Sequence, residues 1–118
     1  MAPRITPNLD VGDLDSMSAF WCAALDYEPA ESAGPYRVLR PRSGEGTRFL
    51  LQQVPEGKSA KNRLHLDLDF DPTFDVEAEA TRLEGLGARR LSGALEEYGS
   101  RWIVMADPEG NEFCVCAQ

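Results

Sequence analysis

Reactive side chains are concentrated in two short stretches of this 118-residue chain, and both stretches alternate polar and apolar residues. One contains His65, the sole histidine, followed two positions later by Asp67. The other is E-F-C-V-C-A, in which Glu112, Cys114 and Cys116 alternate with apolar residues. Side chains two positions apart share a face of a β-strand, so each stretch predicts a strand with one chemically active side.

Three kinds of chemistry are open to these residues. Histidine side chains can exchange a proton near neutral pH, so His65 is a candidate general base or hydrogen-bond donor to a ligand; the alternative is a structural histidine satisfied by Asp67. Glu112 is a candidate base for proton abstraction beside a carbonyl, although we favour an ion pair with Arg48. Cys114 would need a nearby cation to lower its pKa before it could act as a nucleophile, and we favour a small wall residue instead.

Two similar halves of the chain supply the elements that position these residues. R-I-T-P-N-L-D-V from Arg4 aligns with R-L-H-L-D-L-D-F from Arg63, and G-T-R-F-L-L-Q-Q from Gly46 aligns with G-N-E-F-C-V-C-A from Gly110. A polar, turn-rich linker at 55–62 separates the halves. We therefore predict one domain of two βαβββ modules, at about 1–54 and 63–118.

Each opening strand is followed by a predicted amphipathic helix. Asp13 is the predicted N-cap of the first helix, and Asp71-Pro72 opens the second, which stops at Gly87. Their apolar stripes are Leu14, Met17, Phe20, Trp21, Ala24 and Leu25, and Val76, Ala80, Leu83 and Leu86. The later strands are predicted at Tyr36 to Arg40, Arg48 to Gln53, Arg89 to Leu95, Arg101 to Met105, and Glu112 to Ala117.

Alternation along the strands predicts one face under the helices and one polar face. The buried face comprises Ile5, Pro7, Leu9, Val11, Phe49, Leu51, Leu64, Leu66, Leu68, Phe70, Phe113 and Val115. We expect the opposite face to line a cleft that binds a ligand, the alternative being a plain solvated surface. The predicted ligand-binding residues are Thr6, Asn8, Arg48, Leu50, Gln52, His65, Asp67, Glu112 and Cys114.

Composition narrows the function classes. Twenty acidic and twelve basic residues give a net charge of -8, which disfavours binding to nucleic acid or to an anionic membrane. The N-terminus lacks the apolar core of a signal peptide, and the three cysteines lack zinc-site spacing. We therefore expect a cytoplasmic protein with reduced thiols.

Three motifs together resemble one known superfamily. They are F-W-x-x-x-L in the first helix, R-L-H-L-D-L opening the second half, and D-P-E-G-N-E-F before the last strand. The chain is similar, over essentially its whole length, to the small glyoxalase-like, or bleomycin-resistance-like, members of the vicinal oxygen chelate superfamily. The resemblance implies an α+β fold whose paired modules form a curved, open-barrel mixed sheet with helices on the convex side.

The resemblance also implies where a metal would bind. In metal-dependent members, four strand positions converge on one divalent ion, and these fall here on Thr6, Leu50, His65 and Cys114. Only His65 is a usual ligand, and Cys114 stands at the final Glu of the family's D-P-x-G-N-x-x-E pattern. We therefore expect no metal cofactor. The alternative is a zinc-type set of His65 and Cys114 with Glu112 or Asp67.

The expected function follows from both lines of reasoning. We expect a protein that binds a small organic ligand without the usual metal centre and, by analogy with the family, forms a homodimer. The alternative is a metal-dependent lyase, isomerase or dioxygenase-type enzyme in which His65 acts with Glu112 or Cys114. In an enzyme, His65 and Glu112 are the predicted catalytic residues. A purely structural interaction module is a third reading.

Overall fold

A computed structural model describes all residues, Met1 to Gln118. The chain divides into two compact units, Met1–Gly57 and Lys58–Gln118, here called the first and second modules. Each module contains one helix and one mixed sheet, which confirms the predicted α+β class. No helix is long and apolar enough to cross a membrane.

The first module has the predicted βαβββ order. Its elements are β1 (Asn8–Val11), α1 (Leu14–Leu25), β2 (Tyr27–Ala33), β3 (Tyr36–Pro41) and β4 (Phe49–Gln53). The strands lie in the order β1-β4-β3-β2, with β1 parallel to β4 and the other pairs antiparallel. This order places the opening and closing strands side by side, as the site prediction requires.

Helix α1 begins and ends where local chemistry dictates. The Asp13 carboxylate accepts hydrogen bonds from the backbone N–H groups of Asp15 and Ser16, which confirms the predicted N-cap. At the other end, Asp26 adopts a left-handed conformation that terminates the helix. Within the predicted stripe, Trp21 is buried and meets two rings edge-on, Phe49 at 5.4 Å and the neighbouring Phe20 at 5.2 Å between ring centroids. These contacts fix α1 against the β4 side of the sheet.

The second module repeats the strand order with one difference. Its elements are β5 (Leu66–Phe70), α2 (Val76–Gly85), β6 (Arg89–Arg90), β7 (Leu95–Glu97), β8 (Ser100–Ala106) and β9 (Glu112–Ala117). The strands lie in the order β5-β9-β8-β6, and β7 also pairs with β8. The predicted strand from Arg89 to Leu95 is therefore wrong in extent, because regular pairing with β8 is interrupted after Arg90, where Leu91 and Ser92 both donate to the Val104 carbonyl oxygen.

Helix α2 starts later than predicted. Asp71 accepts hydrogen bonds from the backbone and hydroxyl of Thr73 in a separate turn, and Asp75 is the N-cap. The helix has ended by Gly87, as predicted. The φ angle of Gly87 is +116°, a conformation that favours glycine. Leu86 is exposed rather than buried, because it lies beyond the last helical residue.

Two residues predicted for the core are on the surface. Ile5 is 84% exposed and Leu64 is 83% exposed. Both lie before the strands to which they were assigned, since β1 begins at Asn8 and β5 begins at Leu66. The partner strands β4 and β9 start too late to pair with them, so no sheet covers these side chains.

The remaining predicted core is largely correct. Phe49, Leu51, Phe113 and Val115 are buried beneath the helices' apolar stripes, as is Val11. Residues Leu9, Leu66, Leu68 and Phe70 are half-buried. The strand faces opposite this set therefore carry the candidate site residues.

Candidate functional site

The first module brings five predicted ligand-binding residues together. In the parallel pairing of β1 with β4, Asn8 lies opposite Leu50, and the Asn8 amide donates a hydrogen bond to Gln52 Oε1 at 3.2 Å. Just before these strands, Arg48 Nε donates to Thr6 Oγ1 at 3.4 Å. Thr6 precedes β1, so it is placed by this contact and not by a sheet register.

The second module brings His65, Asp67 and Cys114 together. Asp67 on β5 lies directly opposite Cys114 on β9, and His65 Nε2 is 3.2 Å from Asp67 Oδ1. The Cys114 thiol donates a hydrogen bond to the Asp67 carboxylate. One carboxylate thus links the imidazole and the thiol, and all three donor atoms lie within 4.8 Å of one another.

These residues line an open cavity of about 400 Å³. Sequence reasoning missed most of its wall, which also includes Tyr98, Trp102, Cys116 and Gln118. Trp102 lies opposite Cys116 in the pairing of β8 with β9, so it faces the same side as the thiols. The alternation that placed Cys116 on the polar face was the available signal, whereas Trp102 required knowledge of the strand register.

The two cavity thiols are protonated at neutral pH. Burial, reinforced by the negative charge of Asp67, raises the pKa of Cys114 to about 11 and that of Cys116 to about 12. Each residue is only 7% exposed. A nucleophilic cysteine needs a lowered pKa, so this arrangement supports the favoured interpretation of Cys114 as a wall residue.

Glu112 is held apart from the cavity by a different partner from the one predicted. Its carboxylate lies 3.1 Å from Lys58 Nζ and accepts a hydrogen bond from the backbone of Asn62. Lys58 of its own module therefore replaces Arg48 as the cation. Desolvation raises the Glu112 pKa, but the bonds from Lys58 and Asn62 outweigh it, and the net pKa is lowered. A carboxylate held in this way is a weak base, which disfavours the catalytic role predicted for it.

The side chains of the candidate site do not match the four-ligand metal centre that the resemblance implies. Of the four positions implied by the resemblance, Leu50 offers no donor atom and Thr6 only a hydroxyl. The second module supplies an imidazole, a carboxylate and a thiol from His65, Asp67 and Cys114. Thiol ligands suit zinc or softer ions, whereas Mn²⁺ and Mg²⁺ prefer oxygen. The residues therefore do not fit the usual four-ligand centre, but they fit a three-ligand site for a thiophilic ion.

One protein-family model matches the chain. The model of the glyoxalase-like domain matches residues 7–116. No curated protein sequence matches the chain.

Solved structures share the fold at low sequence identity. A glyoxalase/bleomycin resistance protein/dioxygenase family enzyme from Burkholderia phytofirmans is 20% identical, with a TM-score of 0.80 and 95% of both chains covered. The fosfomycin resistance protein FosX from Listeria monocytogenes is 17% identical, with a TM-score of 0.82 over 100% of this chain and 92% of its own. A variant of that FosX was crystallised with Mn(II) and a dihydroxypropylphosphonic acid. It is 17% identical to this chain, with a TM-score of 0.79 over 99% of this chain and 91% of its own.

Proposed function

Because the chain belongs to the glyoxalase-like family of the vicinal oxygen chelate superfamily, we propose that it binds a small organic ligand without the usual metal centre. The cavity in the second module carries this proposal. It combines an aromatic and thiol wall with a polar pair, His65 and Asp67, whose side chains are 45% and 47% exposed. Glu97, Ser100 and Gln118 add further polar groups to the wall. Concave sites of this size, with polar groups that orient a ligand, are typical of small-molecule binding.

The cavity walls define the chemistry of the ligand. Trp102 and the protonated thiols of Cys114 and Cys116 offer a surface for a flat apolar body. His65 and Asp67 offer a donor and an acceptor at one end of that surface. We therefore expect an aromatic or heteroaromatic compound with at least one hydrogen-bonding group.

Trp102 provides a direct test, since it lies in the cavity wall while Trp21 is buried in the first module. Compounds that raise the melting temperature in a thermal-shift screen are titrated while tryptophan fluorescence is recorded. We expect a hit to quench the emission of the wild type and to lose affinity in His65→Ala. The quenching should disappear in Trp102→Phe.

Glu96→Gln is the matched control, because Glu96 lies on β7 beside the lining residue Glu97 but does not line the cavity. This variant should bind like the wild type. Hits whose affinity is unchanged in both His65→Ala and Trp102→Phe would overturn the proposal.

A metal-dependent lyase, isomerase or dioxygenase is the second candidate function. The observation in its favour is the approach of His65, Asp67 and Cys114 donor atoms to within 4.8 Å of one another. Equilibrium dialysis of chelator-treated protein against Zn²⁺ and Mn²⁺, followed by elemental analysis, separates the candidates. One equivalent of zinc, lost in both His65→Ala and Asp67→Asn, would support this candidate and contradict the metal-free site.

The remaining expectations concern assembly and location. We propose a homodimer, which light scattering coupled to size-exclusion chromatography would reveal as a mass of twice 13.0 kDa. We also propose a cytoplasmic location, supported by three cysteines that remain unpaired in the fold.

A further inference from the structure

A second cavity lies entirely within the first module, and its lining is basic. It measures about 750 Å³ and includes three arginines and two threonines among its lining residues. The whole chain carries a net charge of -8, so this concentration of positive charge runs against its overall balance. The lining of this cavity includes Arg4, Ile5, Thr6, Arg40, Thr47 and Arg48.

Two of the three guanidinium groups have no carboxylate partner. Arg40 donates to Glu31 at 2.8 and 3.4 Å, so its charge is neutralised by that ion pair. Arg48 has one long hydrogen bond, to the Thr6 hydroxyl, and interacts with the Glu31 carboxylate only at longer range than an ion pair. Arg4 has neither a hydrogen bond nor an ion pair. The cavity lining therefore contains two guanidinium groups outside any ion pair, together with the Thr6 hydroxyl.

The loop at the cavity wall is held in place by the fold. Tyr27 donates its phenolic hydrogen to the Thr47 carbonyl oxygen at 2.6 Å. The neighbouring Gly46 adopts a φ of +124°, and a Cβ there would lie 3.2 Å from the Pro41 ring. The backbone that carries Thr47 and Arg48 is thus fixed by a hydrogen bond and a turn that requires glycine.

We propose that this cavity binds the dianionic oxyanion group of a small organic acid. Arginine forks match the planar or tetrahedral oxygens of carboxylate and phosphate groups, and two unpaired guanidinium charges are matched by two negative charges. The Thr6 and Thr47 hydroxyls supply further hydrogen-bond donors. A phosphate monoester and a dicarboxylate share this chemistry.

Ile5 indicates that the ligand also carries an apolar part. Its side chain is 84% exposed although the sequence pattern assigned it to the core, and it lies in the cavity wall. An apolar group beside the oxyanion would cover it and add hydrophobic contact. Phenyl phosphate should therefore bind more tightly than inorganic phosphate.

This inference goes beyond the proposed function, because the cavity contains no residue of the second module and its test does not involve His65 or Trp102. If the arginine cavity fails to bind anions, the fluorescence titration of the other cavity still stands. If that titration fails, the anion measurements still decide the present inference.

Isothermal titration calorimetry at low salt tests whether the cavity binds anions. The anions are phenyl phosphate, phenylsuccinate and inorganic phosphate, and benzyl alcohol is the neutral probe. We expect binding of at least one aromatic dianion, weaker binding of inorganic phosphate, and no binding of benzyl alcohol. Affinity should fall as NaCl is raised, because salt screens exposed charges. Comparing the affinities of phenyl phosphate and phenylsuccinate identifies which oxyanion the cavity prefers.

Charge-removing variants locate the site. Arg4→Gln and Arg48→Gln should each weaken binding about tenfold or more, since each removes a charge-assisted hydrogen-bonding group. Arg89→Gln is the control, because Arg89 is an exposed arginine of the second module and its loss changes the net charge equally. Equal weakening by all three variants, or no binding of either aromatic dianion at millimolar concentration, would overturn the inference. Melting curves of each variant verify that it folds.

Discussion

The turn that leads into β9 is built around one buried carboxylate. Asp107, which is 3% exposed, accepts hydrogen bonds from the backbone N–H groups of Glu109 and Asn111 at 2.9 and 3.0 Å. The Asn111 side-chain amide donates to both carboxylate oxygens at 3.1 and 2.9 Å. Asp107 thus bonds the backbone of the turn, and the Asn111 side chain bonds Asp107 in return.

Removing this carboxylate should destabilise the protein strongly. Asp107→Ala leaves two donors of buried Asn111, one backbone and one side-chain, without an acceptor. Each unsatisfied buried donor costs about 1–3 kcal/mol, so we expect a loss of about 4 kcal/mol. That is a large fraction of the roughly 5–15 kcal/mol that stabilises a typical domain.

Urea denaturation followed by far-ultraviolet circular dichroism measures this loss. With a slope of about 2 kcal/mol per molar urea, the midpoint should fall by about 2 M. Asp71→Ala is the matched control, because Asp71 also bonds a turn, through Thr73, but at the surface; its loss should cost about 1 kcal/mol or less. Similar midpoints for the two variants would refute the reasoning that burial makes the Asp107 shell important.

Two further predictions concern stability. Because the Glu112 pKa is lowered in the folded state, its carboxylate stabilises the fold above its ordinary pKa of 4.5, and this contribution is lost as the pH falls through the lowered value. Glu112→Gln should therefore lower the melting temperature at pH 7, with a gap to the wild type that narrows as the pH falls below 4.5 and through the lowered pKa; a constant gap would contradict this. Gly87→Ala should cost about 1–3 kcal/mol in urea denaturation, because of its left-handed φ and a Cβ placed 3.3 Å from the Pro108 ring. Gly85→Ala, in the last turn of α2 with open space around it, should be neutral or stabilising by up to about 1 kcal/mol, and equal losses at both positions would rule out the conformational explanation.

Much of the fold follows from periodicity in the sequence. The internal repeat predicted two modules of like order, and the alternation in β9 predicted its bounds from Glu112 to Ala117. Strand β2 was missed because Y-E-P-A-E-S-A has no apolar alternation: it is an edge strand whose residues are mostly exposed. The starts of β1 and β5 were placed too early because the alternating pattern begins several residues before the point where each strand pairs with its partner.

The candidate site could be predicted only where an alternating pattern or the internal repeat places a side chain. His65, Asp67 and Cys114 meet because β5 and β9 are adjacent and parallel, which the repeat and the family resemblance imply. The Lys58 partner of Glu112 lies in the linker, where no periodic pattern fixes a side chain. Trp102 and Tyr98 enter the cavity through the register of β8 and the hairpin before it, neither of which local pattern determines.

The interrupted edges of the two sheets have a consequence for behaviour at high concentration. Strand β2 shifts register between Pro29 and Ser32 and carries Glu28 and Glu31 along its length. In the second module the same position is split into β6 and β7. A strand from another molecule could not continue hydrogen bonding along either border, since proline, carboxylates and breaks in register oppose it. These two borders therefore oppose fibril growth by strand addition, and the opposite edges of the sheets are formed by β1 and β5.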